Sequence, residues 1–358
     1  MKLLFLSDLS VNHTRRWVDW FAEAGHECHL LTFEAGPPVR AQTRLIRSRL
    51  PRKFMVKYLA HAGDVSRYAR ALKPDLVSAQ ELGSYGPLGV WCGVRPLAVS
   101  AWGSDVLVYP ERSYCHKKRV QYVLRHADLI TSPAPFMTEK IVALGGEAAN
   151  VVESALGIDA AAYPQATRPP RATAAVVLIH SRHFKPVYNI GQLLDALPAI
   201  FAALPGARLV MLSDGPHRRW AERRVAALGL TERVTFSGAL PMEAVAARLR
   251  DADIFITTSR SDSINISLLE AMASGCYPVV TDIPATRYWL EGGARATRVP
   301  VGDPSALAAA VIAAAGDEAG RLAARVVNRE LVVTRANRDE QMRRVEAAFK
   351  DLVARGRR

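Results

Sequence analysis

Short apolar runs alternate with stretches of helical spacing along nearly the whole chain, and the alternation restarts after a proline-containing stretch at residues 163–171. This repetition constrains the fold more than any other feature. A strand that reaches its neighbour through a helix returns parallel to it, and the helices then cover both faces of the sheet. The first half opens with K-L-L-F-L-S-D, a strand ending in polar residues, followed by a helical run at 14–24 carrying Trp17, Val18, Trp20 and Phe21. Further strands are predicted at 29–33, 76–79, 97–101, 129–132 and 151–153. The second half repeats the unit, with strands predicted at 176–180, 208–212, 234–237, 254–258, 277–281 and 297–300. The class is therefore α/β. A chain of 358 residues exceeds the roughly 250–300 at which one hydrophobic core stops growing, which predicts two domains. The boundary expected from the proline-containing stretch is 1–165 and 166–337.

The segment D-I-F-I-T-T-S-R-S-D-S-I-N-I-S-L-L-E-A-M-A-S-G-C-Y-P-V-V-T-D, residues 253–282, carries most of the chemistry. It reads as buried strand, polar loop, helix with a buried face, and strand, with Gly275 ending the helix. Asp262 then lies at the carboxyl end of a strand and Glu270 inside the next helix. In open α/β sheets that crevice is where ligands bind. Two carboxylates eight positions apart, with helix-start amides at Ser263, Ile264, Asn265 and Ile266 between them, suit a polyhydroxylated anion. The carboxylates accept from hydroxyls and the amides face phosphate. The plainer alternative is an ordinary β-α-β unit in which Ser267 and Glu270 form a capping box.

Arg182 and Lys185 follow the strand at 176–180, where a cationic pair can neutralise a diphosphate. Ser213-Asp214-Gly215-Pro216 is a tight turn after another strand, and Gly215 there permits positive φ and close approach of backbone to a ligand. Asp251-Ala-Asp253 imitates a metal-binding D-x-D, but its place between a helix end and a strand argues against that use. In the first half, Asn12, His13 and Arg16 follow the first strand, Glu81 to Tyr85 (including Ser84) follow another, and Trp102 to Asp105 a third. Asp105 could equally be a helix cap.

These motifs resemble the donor-binding segment of retaining glycosyltransferases of family 4, where an acidic residue, seven others and a Glu precede A-M-A-x-G-x-P-V-V. Asp262 and Glu270 hold those two positions, although the first is more often Glu. Ser213 stands where the family's G-x-G-P turn has glycine, and Trp102 where many relatives have His. Gly157-Ile158-Asp159 resembles the N-G-V-D hinge element with Leu156 in place of Asn, and Lys185 lies closer to Arg182 than the family's Lys does. The resemblance implies a GT-B architecture, two facing Rossmann-like domains with a cleft between them, and a terminal helix at 338–358 returning to the first domain. It implies transfer of a hexosyl group, without a metal or other cofactor, from a UDP- or GDP-linked sugar. Glu270 would bind ribose hydroxyls and Asp262 the donor sugar. Arg182, Lys185, the 213–215 turn and the 263–266 amides would hold the diphosphate. Asn12, His13, Arg16, Ser84, Tyr85, Trp102 and Asp105 would lie on the acceptor side. Two other readings share the fold: a nucleotide-sugar epimerase, for which no paired acid and base stand out, and a binding protein that has lost activity.

The net charge of +13 favours anionic partners. Residues 35–63 hold seven basic residues (Arg40, Arg44, Arg47, Arg49, Arg52, Lys53, Lys57) and no acidic one, interleaved with Leu45, Ile46, Leu50, Phe54, Met55 and Val56. Such a segment suits an anionic membrane surface. That fits a saccharide or polyprenyl-linked acceptor in bacterial surface polysaccharide or glycolipid synthesis. No aromatic-interleaved platform accompanies the charge, which argues against nucleic acid. Four scattered cysteines without a C-x-x-C pair suit a reducing compartment. With no signal-peptide pattern and no apolar run near the ~18 residues that span a bilayer, the expected location is cytoplasmic, either soluble or peripheral on the inner face of the plasma membrane.

Overall fold

In the computed structural model, which describes residues 1–50, 55–165 and 175–356, the apolar runs become two separate parallel sheets. The chain divides into two units, Met1–Leu156 with Glu340–Arg358, and Gly157–Asp339. Residues 157–165 thus contact the second unit, so its border lies upstream of the proline-containing stretch. Residues 166–171 of that stretch lie outside the described residues.

Among the described residues the first unit builds a seven-stranded sheet. Its strands are β1 (Lys2–Leu6), β2 (Glu27–Thr32), β3 (Gln42–Leu45), β4 (Leu76–Gln80), β5 (Leu97–Ser100), β6 (Leu129–Ser132) and β7 (Val151–Glu153). They run in the order β3-β2-β1-β4-β5-β6-β7, all neighbours parallel. β1 is apolar and buried from Leu3 onward, as a strand covered on both faces must be. The terminal helix Arg338–Gly356 packs Met342, Val345, Phe349 and Val353 onto this unit with Leu3, Trp17 and Phe21. Phe349 stacks on Phe21 at 5.3 Å between ring centroids.

The second unit has strands β8 (Val177–His180), β9 (Arg208–Leu212), β10 (Val234–Gly238), β11 (Ile254–Thr257), β12 (Tyr277–Thr281) and β13 (Thr297–Val299). Their order is β10-β9-β8-β11-β12-β13, again parallel. This is the 3-2-1-4-5-6 order of a Rossmann sheet, in which the direction of winding reverses between the first and fourth strands. Each unit therefore has one switch point, β1/β4 in the first and β8/β11 in the second. The second core is filled by Leu178, Leu193, Leu197, Met211, Ile254, Ile256, Val279 and Val311, all fully buried.

One strand is additional to those expected, and Asp253 has a partner inside the sheet. β3 is a short edge strand whose four residues are all exposed, so it has no apolar run to announce it. Asp253 accepts from Val177 N at 2.8 Å, tying the amino ends of β11 and β8 together at the opposite edge of the sheet from the switch-point loops. Among the described residues no helix is long and apolar enough to cross a membrane.

Candidate functional site

Three loops meet at the carboxyl edge of β8, β9 and β11. The loops after β8 and β11 are sewn together by backbone and side-chain bonds. Arg260 N donates to Val187 O at 2.8 Å, Thr258 Oγ1 to Asn189 O at 3.0 Å and to Tyr188 O at 3.1 Å, and Ser267 Oγ to Ser181 O at 3.2 Å. Arg182 from one loop thereby meets Asp262 from the other, with Nη2 donating to Oδ2 at 2.5 Å. Both side chains are nearly buried, 11% and 9% exposed. The guanidinium also lies over the Tyr188 ring, 4.2 Å from its centroid. Burial works against its charge most strongly, but Asp262, Tyr188 and Glu270 prevail and hold the Arg182 pKa above its ordinary value. The neighbouring His180 is buried, which pushes its pKa down to about 4, so its imidazole is neutral at pH 7.

Asp262 is thus engaged on both oxygens, since Oδ1 accepts from Ser263 N at 2.9 Å. The Ser263 amide is accordingly bound inside its own loop, where the sequence reading had it facing a phosphate. Ile264 is buried and its carbonyl accepts from Trp289 Nε1 at 2.8 Å, which anchors the loop from below. The helix Ile266–Ser274 begins one residue before Ser267, so the Ser267/Glu270 capping box does not form. Asn265 is the cap instead, left-handed at φ 55, with its side chain accepting from Leu268 N. Gly275 ends the helix at φ 89. Glu270, 9% exposed, accepts from Tyr163 Oη at 2.8 Å.

The turn after β9 packs on the loop after β8. Ser213 adopts φ 86 without being glycine and donates its N–H to Gly238 O at 2.7 Å. Gly215 sits at φ 155, and a Cβ there would lie 2.8 Å from Phe184 N and O. The close approach that requires glycine is therefore to the protein's own Phe184 backbone. Asp214 O accepts from Phe184 N at 3.0 Å, while its carboxylate is exposed and accepts from Gly215 N at 2.7 Å. Lys185 is exposed and, among the described residues, has no ion-pair partner.

At the β1/β4 switch point of the first unit the expected residues divide. Trp102 donates Nε1 to Gln80 Oε1 at 3.2 Å, and its ring lies 5.7 Å from that of His13. His13, Asn12 and Arg16 occupy the first turns of the helix Asn12–Glu23, where Asn12 accepts from Arg15 at 2.9 Å. Asp105, 1% exposed, is a loop tie. Its carboxylate accepts from Leu82 N at 3.0 Å, Trp102 N at 3.1 Å and Gly103 N at 2.7 Å. Tyr85 is a core residue, 1% exposed, packed against Phe33 and Tyr58 with its hydroxyl accepting from Phe33 N. A ring so enclosed has no face left for an acceptor. Ser84 bonds Glu81 Oε2.

Glu81 opens the 81–85 stretch expected on the acceptor side, and no feature of the sequence marks its carboxyl as unusual. It stands at φ 72 in one π-helical turn, Glu81–Tyr85. Burial and then the nearby Asp105 push its carboxyl up to about 7, against hydrogen bonds from Ser84 and Gly83. In the unfolded chain a Glu titrates near ~4.3. The raised folded value means that this group's contribution to stability is complete below about pH 4 and is lost as pH rises through about 7. Glu81→Gln is therefore expected to gain on the order of 2 kcal/mol over the native chain between pH 5 and 8. Urea denaturation of both proteins across that range checks it, and parallel curves would count against the raised value.

Comparison with known proteins gives the fold a family. Residues 2–134 match the family described as glycosyl transferase 4-like, and residues 174–317 match glycosyl transferases group 1. A phosphatidyl-myo-inositol mannosyltransferase of Mycobacterium leprae is 32% identical over 172 residues, 48% of this chain and 45% of that protein. The sulfoquinovosyl transferase SQD2 of Arabidopsis thaliana is 25% identical over 292 residues, 75% of this chain and 55% of that protein. The chain thus spans about half the length of these curated relatives. Among solved structures, Anabaena HepE in complex with UDP and glucose superposes with a TM-score of 0.80 at 17% identity, covering 98% of this chain and 100% of that one. Sucrose-phosphate synthase from Thermosynechococcus elongatus does so with a TM-score of 0.84 at 16% identity, covering 98% and 99%. With two Rossmann-like units of the GT-B kind, each matched by its own family profile, the chain belongs to the group 1, family 4 glycosyltransferases.

Proposed function

We propose that the protein transfers a sugar, with retention of anomeric configuration, from a UDP- or GDP-linked donor to a saccharide or lipid-linked acceptor, without a metal ion. The observation that carries this reading is the pairing of Arg182 with Asp262 at the β8/β11 switch point, beside a buried Glu270. A nucleoside diphosphate needs a cation for its phosphates and a carboxylate for its ribose, and both stand where ligands bind in this sheet. Glu270 accepts from the ribose hydroxyls. Arg182, held over the Tyr188 ring, offers its planar donor fork to the diphosphate. As the glycosidic bond breaks, negative charge grows on the leaving phosphate, and a fixed buried guanidinium stabilises it without reorganisation. The same phosphate then takes the proton of the attacking hydroxyl. Asp262, released from Arg182 by the incoming diphosphate, turns to the donor sugar.

A relative's printed name is consistent with the lipid side. A Mycobacterium tuberculosis protein described as GDP-mannose-dependent alpha-(1-6)-phosphatidylinositol dimannoside mannosyltransferase is 24% identical over 287 residues. The basic segment gives a physical reason for a membrane-bound acceptor. Arg40, Arg44, Arg47 and Arg49 are exposed together with Leu45 and Leu50. Lys57 is not part of that surface, since it is 5% exposed and pairs with Glu34 at 2.5 Å. Arg52, Lys53 and Phe54 lie outside the described residues. The same surface is what supports a polysaccharide or glycolipid role at the inner face of the plasma membrane, and replacing Arg44, Arg47 and Arg49 should abolish co-sedimentation with anionic liposomes.

The test is to incubate the protein with UDP- and GDP-sugars and with saccharide and lipid-linked acceptors in the presence of EDTA and follow the anomeric proton of the glycoside product by NMR. Release of nucleoside diphosphate with an axial anomeric product from an axial donor is the expected result. Activity that vanishes with EDTA and returns with Mn²⁺ would sink the metal-free reading, and an inverted product would sink retention.

A further inference from the structure

We propose that Tyr163 is a positioning residue for donor binding, holding the Glu270 carboxylate in the orientation that receives the ribose hydroxyls; this rests on the ribose role given to Glu270 above. Tyr163 is 2% exposed although it lies in a connecting segment, and its hydroxyl donates to Glu270 Oε1 at 2.8 Å. The placement is built from several sides. Arg329 Nη1 donates both to Tyr163 O, at 2.7 Å, and to Ala273 O, at 2.6 Å. One guanidinium thus clamps the connecting segment to the helix that carries Glu270. Its Nη2 donates to Ala160 O at 3.2 Å, and Gln165 Nε2 donates to Arg325 O at 2.8 Å.

The segment is fixed again where the chain enters and leaves the second unit. Ile158 N donates to Ala336 O at 2.8 Å, and Arg338 N to Ile158 O at 3.0 Å. Gly157 sits between them at φ 61, where a Cβ would stand 2.6 Å from Ala336 O. The two crossing strands are thus bonded to each other a few residues before Tyr163.

A glutamate has three rotatable bonds, and a ligand that must order them loses affinity in doing so. A buried phenol orders them in advance. It takes one of about four lone-pair directions of the carboxylate and fixes the plane of the rest. The diol of a ribose needs two acceptor directions in one plane, so that plane decides the fit.

The experiment is titration calorimetry of the full chain with GDP and UDP and with their 2′,3′-dideoxy counterparts. The wild-type protein should bind one ribonucleotide about a hundredfold better than its dideoxy form. Tyr163→Phe keeps the ring and its packing, and should weaken the ribonucleotide about tenfold while leaving the dideoxy form unchanged, so the ratio shrinks about tenfold. Tyr163→Leu, read by the same ratio, stands in if the Phe variant fails to fold. In a Glu270→Gln background the Phe substitution should no longer change the ratio. A general packing defect in a variant that still folds would lower both affinities together and leave the ratio intact, which overturns the proposal. Wild-type discrimination kept in Tyr163→Phe overturns this proposal alone. Equal wild-type affinity for both forms overturns the ribose role of Glu270 and this proposal with it, and no binding of either nucleotide by the wild type overturns the functional reading itself.

Discussion

Glu270→Ala is expected to weaken binding of the donor nucleotide about a hundredfold, with a corresponding loss of transfer. A charge-assisted hydrogen bond contributes about 1.5–3 kcal/mol, and a ribose diol makes two to one carboxylate. The side chain is almost wholly within the unit, with Tyr163 Oη 2.8 Å from Oε1. Alanine therefore also leaves a buried phenol short of an acceptor, which costs about 1–3 kcal/mol of stability. Calorimetry with the donor and urea denaturation separate the two effects. Unchanged donor affinity would remove Glu270 from the ribose role, whatever happened to stability.

Arg182→Met is expected to be as damaging, and in a different pattern. Removing the cation leaves Asp262, 9% exposed, with an uncompensated charge. Breaking a buried pair in this way costs about 3–5 kcal/mol. Loss of the guanidinium from the leaving diphosphate should lower turnover about a thousandfold. The double variant Arg182→Met with Asp262→Asn removes both charges, so most of the stability should return while turnover stays low. Recovery of turnover with recovery of stability would make the pair a purely structural element.

The same pairing explains a limit of reading the chain as letters. Asp262 and Arg182 are 80 residues apart, and local spacing marks each as a candidate without showing that they meet. The parallel strands were legible because their signal is local. β9 and β12 coincide with the runs 208–212 and 277–281 that β-branched and apolar residues marked. β3 was not, because an exposed edge strand of Gln-Thr-Arg-Leu buries nothing. Tyr85 and Lys57 failed for the opposite reason. A tyrosine in a polar loop and a lysine in a basic run look exposed in sequence, yet each is buried against a partner, Phe33 N for one and Glu34 for the other. Tyr163 had no signal at all, since its partner lies 107 residues away.

Glycine shows how a motif can be present for another cause. In Ser213-Asp214-Gly215 the glycine meets Phe184 backbone, so its demand for a small residue exists before any ligand arrives. The turn still brings Asp214 and Ser213 to the edge of the β8 loop, but its geometry is fixed by packing between two loops.

A nucleotide-sugar bound at the β8/β11 switch point of the second unit should protect the two loops that form it. Hydrogen–deuterium exchange of the wild-type protein with and without UDP- and GDP-sugars tests it at residue level. Slowed exchange is expected at 181–188 and 258–270 with one of the donors, and no such change in Glu270→Ala at the same concentration. Protection confined to other segments, or the same protection in Glu270→Ala, would contradict it.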